Sequence, residues 1–270
     1  MADDEVVLYE VRDGVALLTL NRPDRMNGWT IPMEDRYFDL LLEAESDAAV
    51  RAIVVTGAGR AFSPGADLGN LEDGANTGDL DFGQLSRRPT TLPLTIRKPI
   101  LGAINGAVAG VSLVHTLQMD LRFAAAGTKM TFSFPQRGLV GEYGVTWLLP
   151  RLIGTSRALD LLLSGRVILA EEALELGLVN RVVPGEQLLE ETMAYAGELV
   201  AKCSPTSLAI IKQQVYADWE NDLETSRVRV AGLMKRSFAG PDFKEGVGSF
   251  LQKRPASFLP LGEGGPADLG

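Results

Sequence analysis

The sequence predicts a mixed α/β core followed by a helical C-terminal region. Three observations carry that expectation: strand-like runs alternate with stretches of helical period, glycine closes several of the strands, and after about residue 154 the pattern turns almost wholly helical.

In chain order, EVVLYEV and VALLTL read as strands, and Arg12-Asp13-Gly14 between them supplies a hairpin turn. IPMEDRYFDLLLEAES spaces its apolar residues as a helix does, and RAIVVTG is a short buried strand ending in glycine. From Gly69 to about Arg88 the chain is rich in Gly, Asp and Asn without periodicity, which predicts a surface loop rather than a linker between domains. KPILGAING is another buried strand, GVSLVHTLQ a helix, and DLRFAAAGTKMTF two short strands. Beyond residue 154 come TSRALDLLLSG, AEEALELG, GEQLLEETMAYAGELVAKC, SPTSLAIIKQQVYADWE and DLETSRVRVAGLMKRSF, a nearly continuous helical region. Ser204-Pro205 marks a sharp helix start, and the Gly/Pro-rich tail after Leu259 is expected to fray. The division expected is a core over residues 1–200 and a helical region over 201–270.

Composition removes several function classes. A net charge of -9 opposes nonspecific adhesion to nucleic acid or anionic lipid, so neither is expected as a partner. The start MADDEVVLYE lacks a basic segment followed by an apolar one, and no later run approaches membrane-spanning length, so a soluble cytoplasmic protein is expected. Cys203 is the only cysteine, which leaves no internal disulfide, no multi-cysteine zinc site and no Cys-x-x-Cys pair. Glu72, Asp73, Asp79 and Asp81 lack the ligand spacing of a calcium loop, and no metal is expected. The single histidine, His115, lies in an apolar helical stretch and reads as a packed or hydrogen-bonded residue. Acid-base work falls to carboxylates.

Two segments suggest chemistry. Gly57-Ala-Gly-Arg-Ala-Phe-Ser-Pro-Gly-Ala-Asp-Leu68 is a glycine-rich turn directly after a strand, where backbone can approach a ligand and expose N–H groups. Such turns also serve merely to change direction. In Asn105-Gly-Ala-Val-Ala-Gly-Val-Ser112 a strand ends, glycine bends the chain, and a helix begins near Val111, whose first N–H groups have no partner within the helix. That arrangement suits an oxyanion.

Together these segments resemble the crotonase (enoyl-CoA hydratase/isomerase) family. GAGRAFSPGADL is similar to its first oxyanion segment, NGAVAGVS to its second, and LNRPDRMNGWT to its NRP-x-x-x-N-A motif. GLVGEYGVTWLLPRLIG, AEEALELGLVNRVVP and DFKEGVGSFLQKRPASF resemble the blocks that follow, so the likeness runs from about residue 5 to Phe258. The resemblance implies a ClpP-like spiral of ββα units with a helical C-terminal trimerisation region, assembled as a homotrimer or a dimer of trimers. It implies that the N–H groups of Ala66 and Val111, freed by Gly65 and Gly110, clamp a thioester carbonyl and gain strength as the enolate forms. Losing one such donor typically costs about 3 to 4 kcal/mol.

The substrate implied is an acyl-CoA thioester, and no cofactor is implied. By resemblance, coenzyme A lies along Arg25 and Met26, the backbone from Arg60 through Ala61, Phe62, Pro64 and Gly65 to Asp67 and Leu68, and Gly110, with Lys253 reaching it from a neighbouring subunit. Asp67, Asp120 and Arg137 also recur in the family pattern and read as turn, cap and packing residues. Ser63 and Ser112 lack a neighbouring base for nucleophilic work. Tyr143, Trp29 and Trp147 are expected to line or support the acyl pocket.

Hydratases of the family use two glutamates. Val114 falls where the first belongs, and Pro135-Gln136 stands where the family has Pro-Glu. A carboxylate follows in Gly138-Leu-Val-Gly-Glu142, which resembles the corresponding segment of peroxisomal-type Δ3,Δ2-enoyl-CoA isomerases. One glutamate suffices to move a proton from C2 to C4. Leu139, Val140, Tyr143 and Trp147 are expected to surround Glu142 and raise its pKa. Glu142 also reads as an exposed acid in the first turn of a helix running to Leu149. The competing readings are an enoyl-CoA hydratase with its acid displaced to Glu142, and a noncatalytic acyl-CoA or RNA binder, against which the scarcity of basic clusters speaks.

Overall fold

The opening hairpin forms as its sequence predicts. β1 (Val7–Arg12) pairs antiparallel with β2 (Val15–Leu20), and Asp13 and Gly14 turn the chain with φ of 50° and 81°. The computed structural model describes residues 5–67, 87–266 and 268–269. Leu68, the acids Glu72, Asp73, Asp79 and Asp81, and all but the last two residues of the expected 69–88 loop lie outside the described residues.

α1 (Ile31–Ser46) starts at Thr30, whose hydroxyl accepts from the Met33 N–H, and buries Met33, Tyr37, Phe38, Leu40, Leu41 and Ala44. β3 (Ala52–Gly57), β5 (Ile100–Ile104), β7 (Leu121–Ala125) and β10 (Arg181–Val183) extend the hairpin into a six-stranded sheet of order β1-β2-β3-β5-β7-β10. All of its pairs after the first are parallel. Ile53 and Val55 join the larger core cluster that includes α1, while Ala52 and Val54 pack with α6 (Leu188–Lys202) on the other face. Burial on both faces explains why these strands read as unbroken apolar runs.

β4 (Ala61–Ser63), β6 (Ala107–Ala109), β8 (Lys129–Thr131) and β9 (Ile168–Leu169) form a second sheet in that order. The two strands of DLRFAAAGTKMTF therefore part company, β7 to the first sheet and β8 to the second. β9 and β10 also interrupt the region that the sequence makes nearly continuous helix. Strands of two or three residues carry no readable alternation, and their partners, β8 and β7, come from elsewhere in the chain.

The remaining described helices are α2 (Gly110–Leu117), α3 (Val145–Ile153), α4 (Thr155–Ser164), α5 (Ala170–Leu176), α7 (Pro205–Asp218), α8 (Leu223–Ala239) and α9 (Pro241–Gln252). Ser204 caps α7, accepting from the Ser207 N–H at 3.1 Å. Lys212 on α7 is buried and donates to Asp120 Oδ2 at 2.8 Å, while the Ile100 N–H donates to the same oxygen at 2.7 Å. Asp120 thus does more than cap a turn: it ties a C-terminal helix to β5.

The tail after Leu259 does not fray as expected. Gly264 and Pro266 are buried, and the Asp242 N–H at the start of α9 donates to Gly264 O at 3.0 Å. The helix start needs acceptors for its free N–H groups, and the tail backbone supplies one.

Three neighbouring parallel strands, β2, β3 and β5, end together. Their continuations are the segments 21–29, 58–67 and 105–111, so the NRP-x-x-x-N stretch and both glycine-rich segments issue from one edge of the sheet. Open α/β sheets place ligands at such carboxyl edges.

Candidate active site

The second sheet sets two glycines side by side. β4 and β6 pair in parallel, and each strand runs on into a left-handed glycine, Gly65 with φ 101° and Gly110 with φ 52°. A Cβ on Gly65 would stand 3.0 Å from Ala109 O, so the close approach of the two segments requires glycine there. Ser63 Oγ donates to Asn27 O at 2.6 Å and lies 2.6 Å from Ser112 Oγ, which makes Ser112 the donor of that pair. Both hydroxyls are spent on fastening the segments to each other.

Beyond Gly65 the chain forms a parallel bridge with Trp29. The Trp29 N–H donates to Gly65 O at 2.8 Å and the Asp67 N–H to Trp29 O at 2.9 Å, which directs the Ala66 N–H away from residue 29. Val111 is the second residue of α2, so its N–H has no acceptor within the helix. Ala66 and Val111 line one cleft of about 460 Å³ together with Gly65, Gly110 and Glu142.

The NRP-x-x-x-N stretch works as a latch. Asn27 is buried with φ 61°; its Nδ2 donates to Ala58 O and Ala61 O, each at 2.9 Å, and its Oδ1 accepts from the Arg22 N–H at 2.8 Å. Arg22 in turn holds Asp67 Oδ2 at 3.0 Å and donates to Gly28 O. Asp67 lines the cleft, with one carboxylate oxygen turned toward Arg22.

Glu142 is half-buried in the turn before α3, and its carbonyl accepts from the Val145 N–H at 3.0 Å. The helix begins three residues later and runs to Ile153, so Glu142 is not an acid of its first turn. Tyr143 (φ 55°) and Gly144 (φ 80°) follow in left-handed conformations, and Gln118 Nε2 secures the turn by donating to Tyr143 O at 3.0 Å. A left-handed aromatic residue is costly and marks a place where surroundings dictate the backbone. Burial raises the Glu142 pKa, and the negative charge of Glu34 raises it further. Val140, expected among the residues around Glu142, instead is 83 % exposed.

Glu34 was not visible as a site residue in the sequence. Its signal is an acid on the apolar stripe of α1, in register with Tyr37, Phe38 and Leu41. Trp29 Nε1 donates to Glu34 Oε2 at 2.9 Å, and His115 Nε2 lies 3.4 Å from the same oxygen without hydrogen-bond alignment. Burial would raise the Glu34 pKa, but His115, Trp29 and Tyr143 outweigh it and hold it below the ordinary value. His115 is therefore packed in the core, as expected, but beside a carboxylate.

Of the other expected residues, Arg25, Met26, Pro64, Gly110 and Arg137 line the cleft. Arg60 is exposed, with a guanidinium nitrogen 3.6 Å from Met26 Sδ. Ala61 and Phe62 are buried in β4 and do not line the cleft, with Phe62 packed in the larger core cluster. Lys253 is exposed at the end of α9 and does not border this cleft. Val114 is buried, and Gln136 Nε2 donates to Gly165 O at 2.9 Å, so neither position offers an acid. Trp29 packs at 4.4 Å from His115 behind the cleft, and Trp147 packs on Trp219 at 4.9 Å, as supports.

The cleft sets the backbone of Ala66 and Val111 beside the carboxylate of Glu142, and comparison with known proteins gives the class of enzyme to which such a site belongs. The sequence profile described as enoyl-CoA hydratase/isomerase matches residues 10–260, and the chain belongs to that family, the crotonases, as an acyl-CoA enzyme. It is 35 % identical over 263 residues to a 1,2-epoxyphenylacetyl-CoA isomerase of Escherichia coli, covering 94 % of this chain and 98 % of the relative. It is 32 % identical to a crotonyl-CoA hydratase of Syntrophomonas wolfei, with the same coverage of each. The crystal structure of an enoyl-CoA hydratase from Polaromonas superposes with a TM-score of 0.88 at 27 % identity, covering 93 % of this chain and 99 % of that one. Among the described residues no helix is long and apolar enough to cross a membrane.

Proposed function

We propose that the protein is a Δ3,Δ2-enoyl-CoA isomerase with Glu142 as its single acid-base and the N–H groups of Ala66 and Val111 as its oxyanion hole. The observation that carries this reading is one half-buried carboxylate of raised pKa in the cleft of Ala66 and Val111; by the family resemblance, Val114 and Gln136 stand where hydratases carry their two acids. The ionised Glu142 takes a proton from C2 of a 3-enoyl thioester, and the C–H electron pair enters the carbonyl to give a dienolate. Its oxygen gains strength of binding from the two donors. Protonated Glu142 then returns the proton to C4, leaving the double bond between C2 and C3. No oxidant, water or cofactor is consumed.

In the same reading Arg25, Met26, the Arg60 to Leu68 backbone and Lys253 of a neighbouring subunit hold coenzyme A. The chain forms a homotrimer or a dimer of trimers through α7, α8 and α9, on which Leu223, Phe250 and Leu251 are exposed. A cytoplasmic role in fatty-acid metabolism belongs to this reading. The alternative is hydration, which the likeness to the crotonyl-CoA hydratase of Syntrophomonas wolfei favours.

The test offers the protein a 3-enoyl-CoA and a 2-trans-enoyl-CoA separately, following conjugated thioester absorbance and product mass. Conjugation of the first without hydration of the second is expected; water added to the second would replace isomerisation by hydration. Because Glu142 must be ionised to accept the C2 proton, kcat/KM is expected to fall as pH drops through its raised pKa. The acid limb of the profile lies above the ordinary glutamate range; a limb at or below that range would contradict the assignment.

A further inference from the structure

α1 carries an acid where its stripe is otherwise apolar. Glu34 is 4 % exposed, and a carboxylate so deeply placed persists only with polar partners around it. Each of its partners belongs to a segment that carries a different part of the proposed site. Trp29, whose Nε1–H donates to Glu34 Oε2 at 2.9 Å, is the residue whose backbone brackets Ala66. His115, 3.4 Å from the same oxygen, stands four residues after Val111, one turn along α2. Tyr143 interacts with Glu34, its ring meets that of His115 with centroids 5.2 Å apart, and it directly follows Glu142.

We infer that Glu34 is a positioning residue for the reaction, joining the Ala66 segment, the start of α2 and the Glu142 turn through one buried carboxylate whose fixed negative charge stands behind Glu142. The inference rests on the isomerase reading of the cleft and deepens it. Two carboxylates in unlike surroundings divide the work: Glu34, held by Trp29, His115 and Tyr143, stays ionised, and its field favours the protonated form of Glu142. Without Glu34 the acid-base would sit further from the poise that proton return to C4 requires.

The groups facing this pair are few. His115 comes from α2, Trp29 from the segment before α1, and Tyr143 from the turn before α3, while Asp24, Arg25, Asp67 and Arg137 line the cleft that Glu142 enters. Elsewhere on α1, Asp35 and Asp39 pair with Arg87 and Arg88, Glu45 pairs with Arg97, and Glu43, with Asp47 just past the helix, acts on Tyr9 of β1. Glu43 lies about 13 Å from Glu34 along the helix axis. Among the charges of α1, it is that of Glu34 that raises the Glu142 pKa.

The test compares Glu34→Gln, Glu34→Leu and Glu142→Gln in the full-length protein, measuring kcat and KM for a 3-enoyl-CoA across pH. Glu34→Gln keeps an oxygen for Trp29 but removes the charge, and its acid limb in kcat/KM is expected to move to lower pH with KM nearly unchanged. Glu34→Leu removes both, and kcat is expected to fall about a hundredfold, as misplacement of a catalytic group does, with turnover largely rescued in Glu34→Gln. An acid limb unmoved in Glu34→Gln, in an enzyme that Glu142→Gln inactivates, overturns the inference and leaves the isomerase reading standing. Full activity in Glu142→Gln instead overturns the reading on which both depend. If Glu34→Leu does not fold, the pH profile of Glu34→Gln decides alone.

Discussion

Replacing Glu142 with glutamine is expected to lower kcat for a 3-enoyl-CoA by about 10²- to 10⁴-fold, the usual worth of a placed general acid-base. Glutamine has the same shape, so the turn that the Val145 N–H and Gln118 hold in place has no reason to rearrange. The Ala66 and Val111 donors are untouched, and KM is expected to change little. What the variant lacks is a group able to take a proton from C2 and give it back at C4. Exchange of the C2 hydrogen with deuterium in solvent follows that step directly, and it is expected to be lost together with turnover. A variant that still isomerises at the parental rate would remove Glu142 from the mechanism.

Gly65→Ala is expected to be nearly as damaging to kcat, by about 10²- to 10³-fold, because it acts on the proposed oxyanion donors themselves. The new Cβ meets a backbone oxygen, Ala109 O, at 3.0 Å, and a backbone atom cannot swing aside as a side chain would. The φ of 101° is also hostile to alanine. Either the segments part or residue 65 turns, and both carry the Ala66 N–H away from its place opposite Val111. The strain costs on the order of 1 to 3 kcal/mol of stability as well. Gly127→Ala serves as the control, since Gly127 has φ 73° but nothing within 4 Å of its added Cβ. A fall in melting temperature with kcat intact in both variants would mean that Gly65 matters to stability alone.

How much of this was legible depends on the range over which each feature is decided. Asp13-Gly14, the stripe of α1 and the Ser204 cap are local, and the sequence states them with nearly their final boundaries. Glycine before Ala66 and before Val111 marked backbone freed for close approach, and the structure brings both residues to one cleft with Glu142. Glu34 stayed hidden because an acid early in a helix usually faces water and favours the dipole, and only His115 and Tyr143, far along the chain, show otherwise. The raised pKa of Glu142 was expected from apolar neighbours, yet Val140 faces solvent and part of the effect is the charge of Glu34. β4, β6, β9 and β10 are too short to announce themselves, and the packed tail is fixed by the needs of a helix start that it meets only in three dimensions.

The cleft is assembled from Gly28, Ala66, Val111 and Glu142, which no single stretch of chain contains. Helices form within about a microsecond, whereas contacts of such separation wait for large loops to close. Until β2, β3 and β5 lie side by side there is no edge for the segments to issue from. In a refolding trace, regain of turnover is expected to trail the return of far-ultraviolet ellipticity, and their coincidence would show that the long-range contacts form as early as the helices. A nascent chain that has made its helices is thus still chemically silent, and the reactive centre is itself a sensor that the core has closed.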